Sequence, residues 1–202
     1  MLRLITLAFA VVLLSGCQSF NEKHVQGNLG SPFYQVPVAS RITLKQQLTI
    51  PAHRDRIYLV DGQVLRWQDV NIYRPYCMLQ VFTVKAVAQT VKPTQFVVQR
   101  VFQDTIFQLA LQGPVQVAQV DRDGGVMEYR VVVTVMELFS ENEPEVIRLT
   151  CGRWELPPDM PHVTINDIHK QLGSIFDLTL ATKEMQRDTT MRRTSGESRS
   201  GY

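Results

Sequence analysis

The chain lacks most of the local signatures by which an activity shows itself. Its 202 residues hold three Cys, four His and two Trp. The four His (His24, His53, His162, His169) never fall two to four positions apart, so no local zinc-ligand spacing exists. G-x-S-x-G, S-x-x-K and P-loop motifs are absent, which removes the short signatures of nucleophile elbows and phosphate cradles. Asp121 and Asp123 lie in a polar loop without EF-hand spacing or its terminal Glu. Basic residues number 21 and acidic residues 19, so there is no field of one sign to draw nucleic acid. No apolar run reaches the roughly 18–20 residues of a permanent membrane-spanning helix. There is no internal repeat and no heptad array. No catalytic residue, metal or cofactor is therefore expected, and nucleic acid is not an expected partner.

What is present is an ordinary globular mixture, 45% hydrophobic and 20% charged, which excludes full-length disorder and collagen-like repeats. The length suits one domain of moderate size with its own core. From Arg41 the pattern has period two: Ile42, Leu44, Leu48 and Ile50 share a face, interrupted at Gln46. Arg56–Val60 and Gln63–Trp67 flank Asp61-Gly62, a hairpin signal because both turn positions tolerate positive φ. Further strands are predicted at Met78–Ala88, Gln95–Phe102, Thr105–Leu111, Val115–Val120, Met127–Phe139 and Val146–Trp154. The loop 121–125 joins two of these. Val131, Val132 and Val133 run together, which predicts a central strand covered on both faces.

After Pro157, Pro158 and Pro161 the apolar spacing becomes helical, with Ile165, Ile168, Leu172 and Ile175 on one stripe. Thr164 is placed to cap this helix and Asp167 sits in its first turn, so the helix is predicted over 165–176, weakened by Gly173. The expected fold is mainly β: an antiparallel β-sandwich or small β-barrel with one C-terminal amphipathic helix, over residues 41–180. Residues 17–40, polar with two Gly and two Pro, read as a tether, with Phe33, Tyr34 and Val36 able to dock. Residues 181–202 read as a disordered tail with a small positive excess.

The front of the chain is different. Arg3 is a short positive region, Leu4–Leu14 is an apolar stretch suited to a signal peptide, and Leu14-Ser15-Gly16-Cys17 comes next. This arrangement resembles the lipobox of bacterial lipoproteins. The resemblance implies a cleaved leader of residues 1–16, and a diacylglyceryl thioether on Cys17 as the chain's link to membrane lipid. Gln18 is not the Asp that commonly retains such proteins at the inner membrane, so the outer membrane of a Gram-negative cell, facing the periplasm, is implied. Lipidation would consume Cys17 and leave the pair Cys77 and Cys151, for which the oxidising periplasm implies a disulfide. The segments TLKQQLTIPAHRDRIYLVDGQVL, NIYRPYCMLQV and LTCGRWEL, within 41–156, also resemble Gram-negative envelope lipoproteins with two core cysteines.

Two groups of residues are candidates for contact with another envelope protein. Tyr73, Arg74 and Tyr76 combine aromatic and guanidinium groups just before Cys77, with Trp67 upstream. Arg54 and Arg56 alternate on one strand face and are able to meet an anionic partner. The leading functional expectation is a non-catalytic binding or scaffold component of the envelope. The alternatives are a carrier of a lipid or other apolar ligand in a β-fold cavity, and a hydrolase with dispersed catalytic residues.

Overall fold

The structure, a computed structural model, describes residues 27–107, 130–155 and 161–183. These residues form ten strands and one helix. They are β1 (Arg41–Leu44), β2 (Leu48–Ile50), β3 (Arg56–Val60), β4 (Gln63–Leu65), β5 (Tyr76–Val81), β6 (Gln89–Val91), β7 (Thr94–Phe107), β8 (Arg130–Phe139), β9 (Val146–Glu155), α1 (Ile165–Leu172) and β10 (Phe176–Thr179). Eight strands make one antiparallel sheet in the order β10-β1-β7-β8-β9-β5-β3-β4, while β2 and β6 pair separately. The large sheet curls into a half-barrel. Its register shifts between Val98 and Arg100 on β7 and between Gln80 and Val81 on β5. Such bulges bend a strand and increase its twist, which helps a sheet close on itself.

The main core fills the inside of the curl. Ile42, Leu44, Leu59, Leu79, Phe96, Met136 and Leu149 are fully buried there. Helix α1 covers them with Ile165, Ile168 and Leu172, the stripe expected from spacing. Its start is the expected cap: Asp167 N–H donates to Thr164 Oγ1 at 3.1 Å and Thr164 N–H donates to Asp167 Oδ2 at 3.0 Å. The helix stops at Leu172 rather than 176, because Gly173 takes φ +52° as its cap.

Beyond the helix the chain forms a strand that the helical spacing does not predict. Phe176 and Leu178 alternate with exposed Asp177 and Thr179, and β10 pairs with β1. The helix end is fastened to the β3–β4 turn. Gly62 N–H donates to Gln171 O and Asp61 N–H to Gln171 Oε1, both at 3.0 Å. The turn itself has positive φ at Asp61 and Gly62, as expected.

A second, smaller core lies on the other face of the sheet. Val131, Val133, Val135, Tyr76 and Trp154 are covered there by Val70 and Ile72 from the 66–75 crossing. Val132, between two residues of this core, is buried as well, so the valine run is covered on both sides. Cys77 and Cys151 face each other across β5 and β9, with Cα atoms 4.0 Å apart, and are joined by a disulfide.

Several boundaries differ from the expected ones. The 41–50 strand divides at Lys45–Gln47 into β1 and β2, where the apolar alternation fails. The predicted Met78–Ala88 strand ends at Val81, where Phe82 N–H turns to Glu145 O. The segments at Gln95–Phe102 and Thr105–Leu111 are one strand as far as Phe107. Gln63–Trp67 shortens to β4, and Trp67–Asp69 forms a 3₁₀ turn. Part of the expected tether is docked: Val36, Ala39 and Ser40 are buried, and Ala39 N–H donates to Val98 O at 2.8 Å, whereas Phe33 is exposed. The leader, Cys17, the predicted strand Val115–Val120, the loop 121–125 and the tail beyond 183 lie outside the described residues.

Candidate functional site

The outer face of β3, β4 and β5 gathers three rings. Tyr58 lies 5.1 Å from Trp67 and 6.3 Å from Tyr76, and Trp67 meets Tyr76 edge-on at 6.2 Å. The strand pleat puts Tyr58 on this face, and the 3₁₀ turn folds Trp67 over it. An Arg66 Nε–Asp69 Oδ2 contact of 2.9 Å braces that turn. Trp67 remains 40% exposed and Tyr73 50% exposed, so both present aromatic surface to solvent.

Tyr76 does not. The sequence pattern groups it with the contact residues, but it lies in the second core beneath the other rings. Burial pushes its hydroxyl pKa up to about 12, with the Tyr58 phenol adding to the rise and the Trp154 side chain opposing it. The reason is parity: Tyr76 begins β5, and its side chain shares the covered face with Tyr58 and Trp154. Tyr73 and Arg74 sit in the loop before β5 and are exposed, with Tyr73 N–H donating to Asn71 Oδ1 at 3.1 Å.

The two arginines are not a joint basic patch. Arg56 donates from Nε to Asp55 Oδ1 at 2.7 Å and from Nη2 to Asp55 Oδ2 at 2.5 Å. Its Nη1 reaches Met78 Sδ at 3.5 Å, and Gln80 Nε2 donates to Asp55 Oδ2 at 2.8 Å. This bidentate pair holds the Asp55 carboxyl below its ordinary pKa, mainly through the Arg56 hydrogen bond, and raises Arg56 in turn. Arg56 thus serves an internal network. Arg54 lies in the turn before β3, after His53 at φ +59°, and is exposed.

A second surface is hidden in the sequence, because its residue pattern reads as a strand. Residues 82–88 form a loop in which Phe82 is 77%, Val84 56% and Val87 68% exposed. Phe139, at the end of β8, is also exposed. Only the absence of a covering element distinguishes these residues from core positions, and that is a tertiary property.

Among the described residues no group of three or more His, Cys, Asp and Glu is placed to hold a metal ion. No helix among them is long and apolar enough to cross a membrane. The class defined by this geometry is a disulfide-braced antiparallel β half-barrel, filled by its own side chains and one helix, with aromatic and apolar surfaces outside. The chain matches no family model, and no curated protein or solved structure matches it.

Proposed function

We propose that this chain is a lipid-anchored lipoprotein on the periplasmic side of the outer membrane of a Gram-negative cell. It acts as a non-catalytic binding or scaffold component that docks onto another envelope protein. The observation that carries this reading is the tetrapeptide Leu14-Ser15-Gly16-Cys17 behind an apolar leader. The Cys77–Cys151 bridge supports it, because disulfides persist in oxidising compartments. The exposed rings of Trp67 and Tyr73, beside Arg66 and Arg74, have the composition of a protein-contact patch. The inside of the curl is occupied by Phe96, Met136, Ile168 and Leu172, which favours docking over carriage of an apolar ligand. We read the architecture as a small barrel completed by α1 in place of further strands, rather than as a sandwich.

The test is Cys17→Ser in cells fed labelled palmitate. The parent is expected to take up label and to fractionate with the outer membrane, and the variant to do neither. Crosslinking in living cells then tests docking. A reproducible protein adduct that is lost with Trp67→Ala or Tyr73→Ala supports the scaffold role, and recovery of no protein adduct refutes it.

A further inference from the structure

We propose that the loop Phe82–Ala88 contacts the bilayer, seating Phe82, Val84 and Val87 at the boundary between headgroups and acyl chains. The proposal rests on the reading of Cys17 as an acyl anchor.

Three large apolar side chains within six residues are held out in solvent. Collapse onto the domain would remove them from water, so their exposure needs a cause. The backbone supplies the restraint. Phe82 N–H donates to Glu145 O at 2.8 Å, and Thr83 N–H to Glu145 Oε2 at 3.2 Å. Gln89 Nε2 donates to Thr83 O at 2.7 Å, and His53 N–H to Lys85 O at 2.8 Å. These bonds fix the loop with its apolar side chains outward. They also satisfy backbone groups that would otherwise resist transfer toward lipid.

The loop's own charges suit a bilayer, and of the neighbouring acidic residues Glu141, Glu143 and Glu145 the last two turn carboxylate oxygens to the N–H groups of Lys92 and Thr83. From Phe82 to Pro93 the charged residues are Lys85 and Lys92, both exposed, and none is acidic. Lysines beside an apolar tip can extend to anionic headgroups while their stems stay with the apolar side chains. The neighbouring β8–β9 loop is joined to this one through Glu145, and to the β6–β7 turn by Lys92 N–H donating to Glu143 Oε1 at 3.0 Å.

Size favours lipid over a protein partner. The apolar surface of the loop is on the order of a few hundred Å², below the roughly 800 Å² per partner of a standard protein interface. The geometry of the anchor gives the loop a task. Residues 18–26 separate Cys17 from Gly27 and span at most roughly 35 Å when extended. Acyl chains on such a leash keep the domain near the bilayer and leave its orientation free, and a seated loop would set that orientation.

The full chain is expressed, and the resulting protein is purified and reconstituted in phosphatidylethanolamine vesicles with a minority of phosphatidylglycerol, part of the lipid brominated on its acyl chains. Phe82→Trp is compared with the parent and with Lys170→Trp. The latter lies on α1 beside the β3–β4 turn, at the other end of β3. The added emission of Phe82→Trp is expected to shift to the blue and to be quenched by the brominated lipid. The quenching is expected to fall when Val84→Ser and Val87→Ser are added, and Lys170→Trp is expected to stay unquenched. Emission from Phe82→Trp quenched no more than that of Lys170→Trp overturns the proposal. So does a blue shift that appears without vesicles and coincides with dimerisation in sedimentation, which would assign the loop to a second copy. The mass of the N-terminal peptide reads the anchor separately. An acylated chain with an unquenched Phe82→Trp refutes the loop alone; an unacylated chain with a quenched one refutes the anchor alone.

Discussion

Removing the Cys77–Cys151 bridge is the perturbation whose size derives most directly from the structure. The two cysteines are separated by 74 positions, so the crosslink restrains a long loop of the unfolded chain. Loop-closure entropy at that length is worth about 4.5 kcal/mol at 25 °C. Both side chains are fully buried, so Cys77→Ala with Cys151→Ala also leaves small voids and adds no unpaired hydroxyl. The double variant is expected to lose about 3–5 kcal/mol, the upper part of the roughly 2–5 kcal/mol typical of native bridges. At a urea slope of about 2 kcal/mol per molar for a domain of this size, the midpoint falls by about 1.5–2.5 M. The thermal midpoint falls by roughly 6–20 °C at about 2–4 °C per kcal/mol. The assay is urea unfolding followed by tryptophan fluorescence on parent and variant. The slope is expected to rise in the variant, because an open unfolded chain exposes more surface. A midpoint shift under about 0.5 M at unchanged slope would refute the reasoning, since the bridge would then restrain little that the β5–β9 pairing does not already hold.

The core and its edges give further expected outcomes. Ile168→Ala empties a fully buried position under the curl and is expected to cost about 2–5 kcal/mol, against about 1 kcal/mol for Thr164→Ala at the helix cap, both read by urea unfolding. A Cβ on Gly152 would lie 2.5 Å from Val132 O and 2.7 Å from Val133 Cγ1, so Gly152→Ala forces β8 and β9 apart. It is expected to cost roughly 1–3 kcal/mol or to prevent folding, and near-parental stability would contradict the register. Tyr76 keeps its proton in the folded chain up to about pH 12, whereas the unfolded chain releases it near 10.0. The stabilisation is fully present below pH 10 and is lost as pH rises to 12. The gap amounts to roughly 2–3 kcal/mol, so Tyr76→Phe should flatten the alkaline limb of stability against pH.

The aromatic surface shows how far residue pattern reaches. Closeness along the chain makes one contact group of Tyr73, Arg74 and Tyr76. Cover separates them, because β5 begins at Tyr76 and Val70 and Ile72 close over that ring, while Tyr73 and Arg74 stay in the loop before it. Tyr58 and Trp67 are nine positions apart in sequence, and only the β3–β4 hairpin and the 3₁₀ turn after it stack them. Arg54 and Arg56 alternate on paper, yet Asp55 engages Arg56, with Gln80 beside it, and Arg54 stays exposed in a turn. Loop 82–88 misleads for a related reason. Its Phe, Val and Thr content fits a strand, and strand formation requires a neighbour to pair with, which Glu145 replaces at Phe82.

Features governed by near neighbours were decided by sequence alone. The mainly β composition, the Asp61-Gly62 turn, the Thr164 cap and the Ile165–Ile168–Leu172 stripe each depend on residues within one turn or one pleat of each other. The pairing of Cys77 with Cys151 was legible through the lipobox resemblance, which set Cys17 apart and left one pair. Everything requiring distant segments to meet was decided by tertiary structure. β10 is four residues that become a strand because β1 offers them an edge, and the helix ends where Gly173 must pass against Gly62. Which rings are covered, which arginine is engaged and which apolar loop stands in water depend on the curl of the sheet, since burial is a property of the surface opposite a side chain and not of the side chain itself.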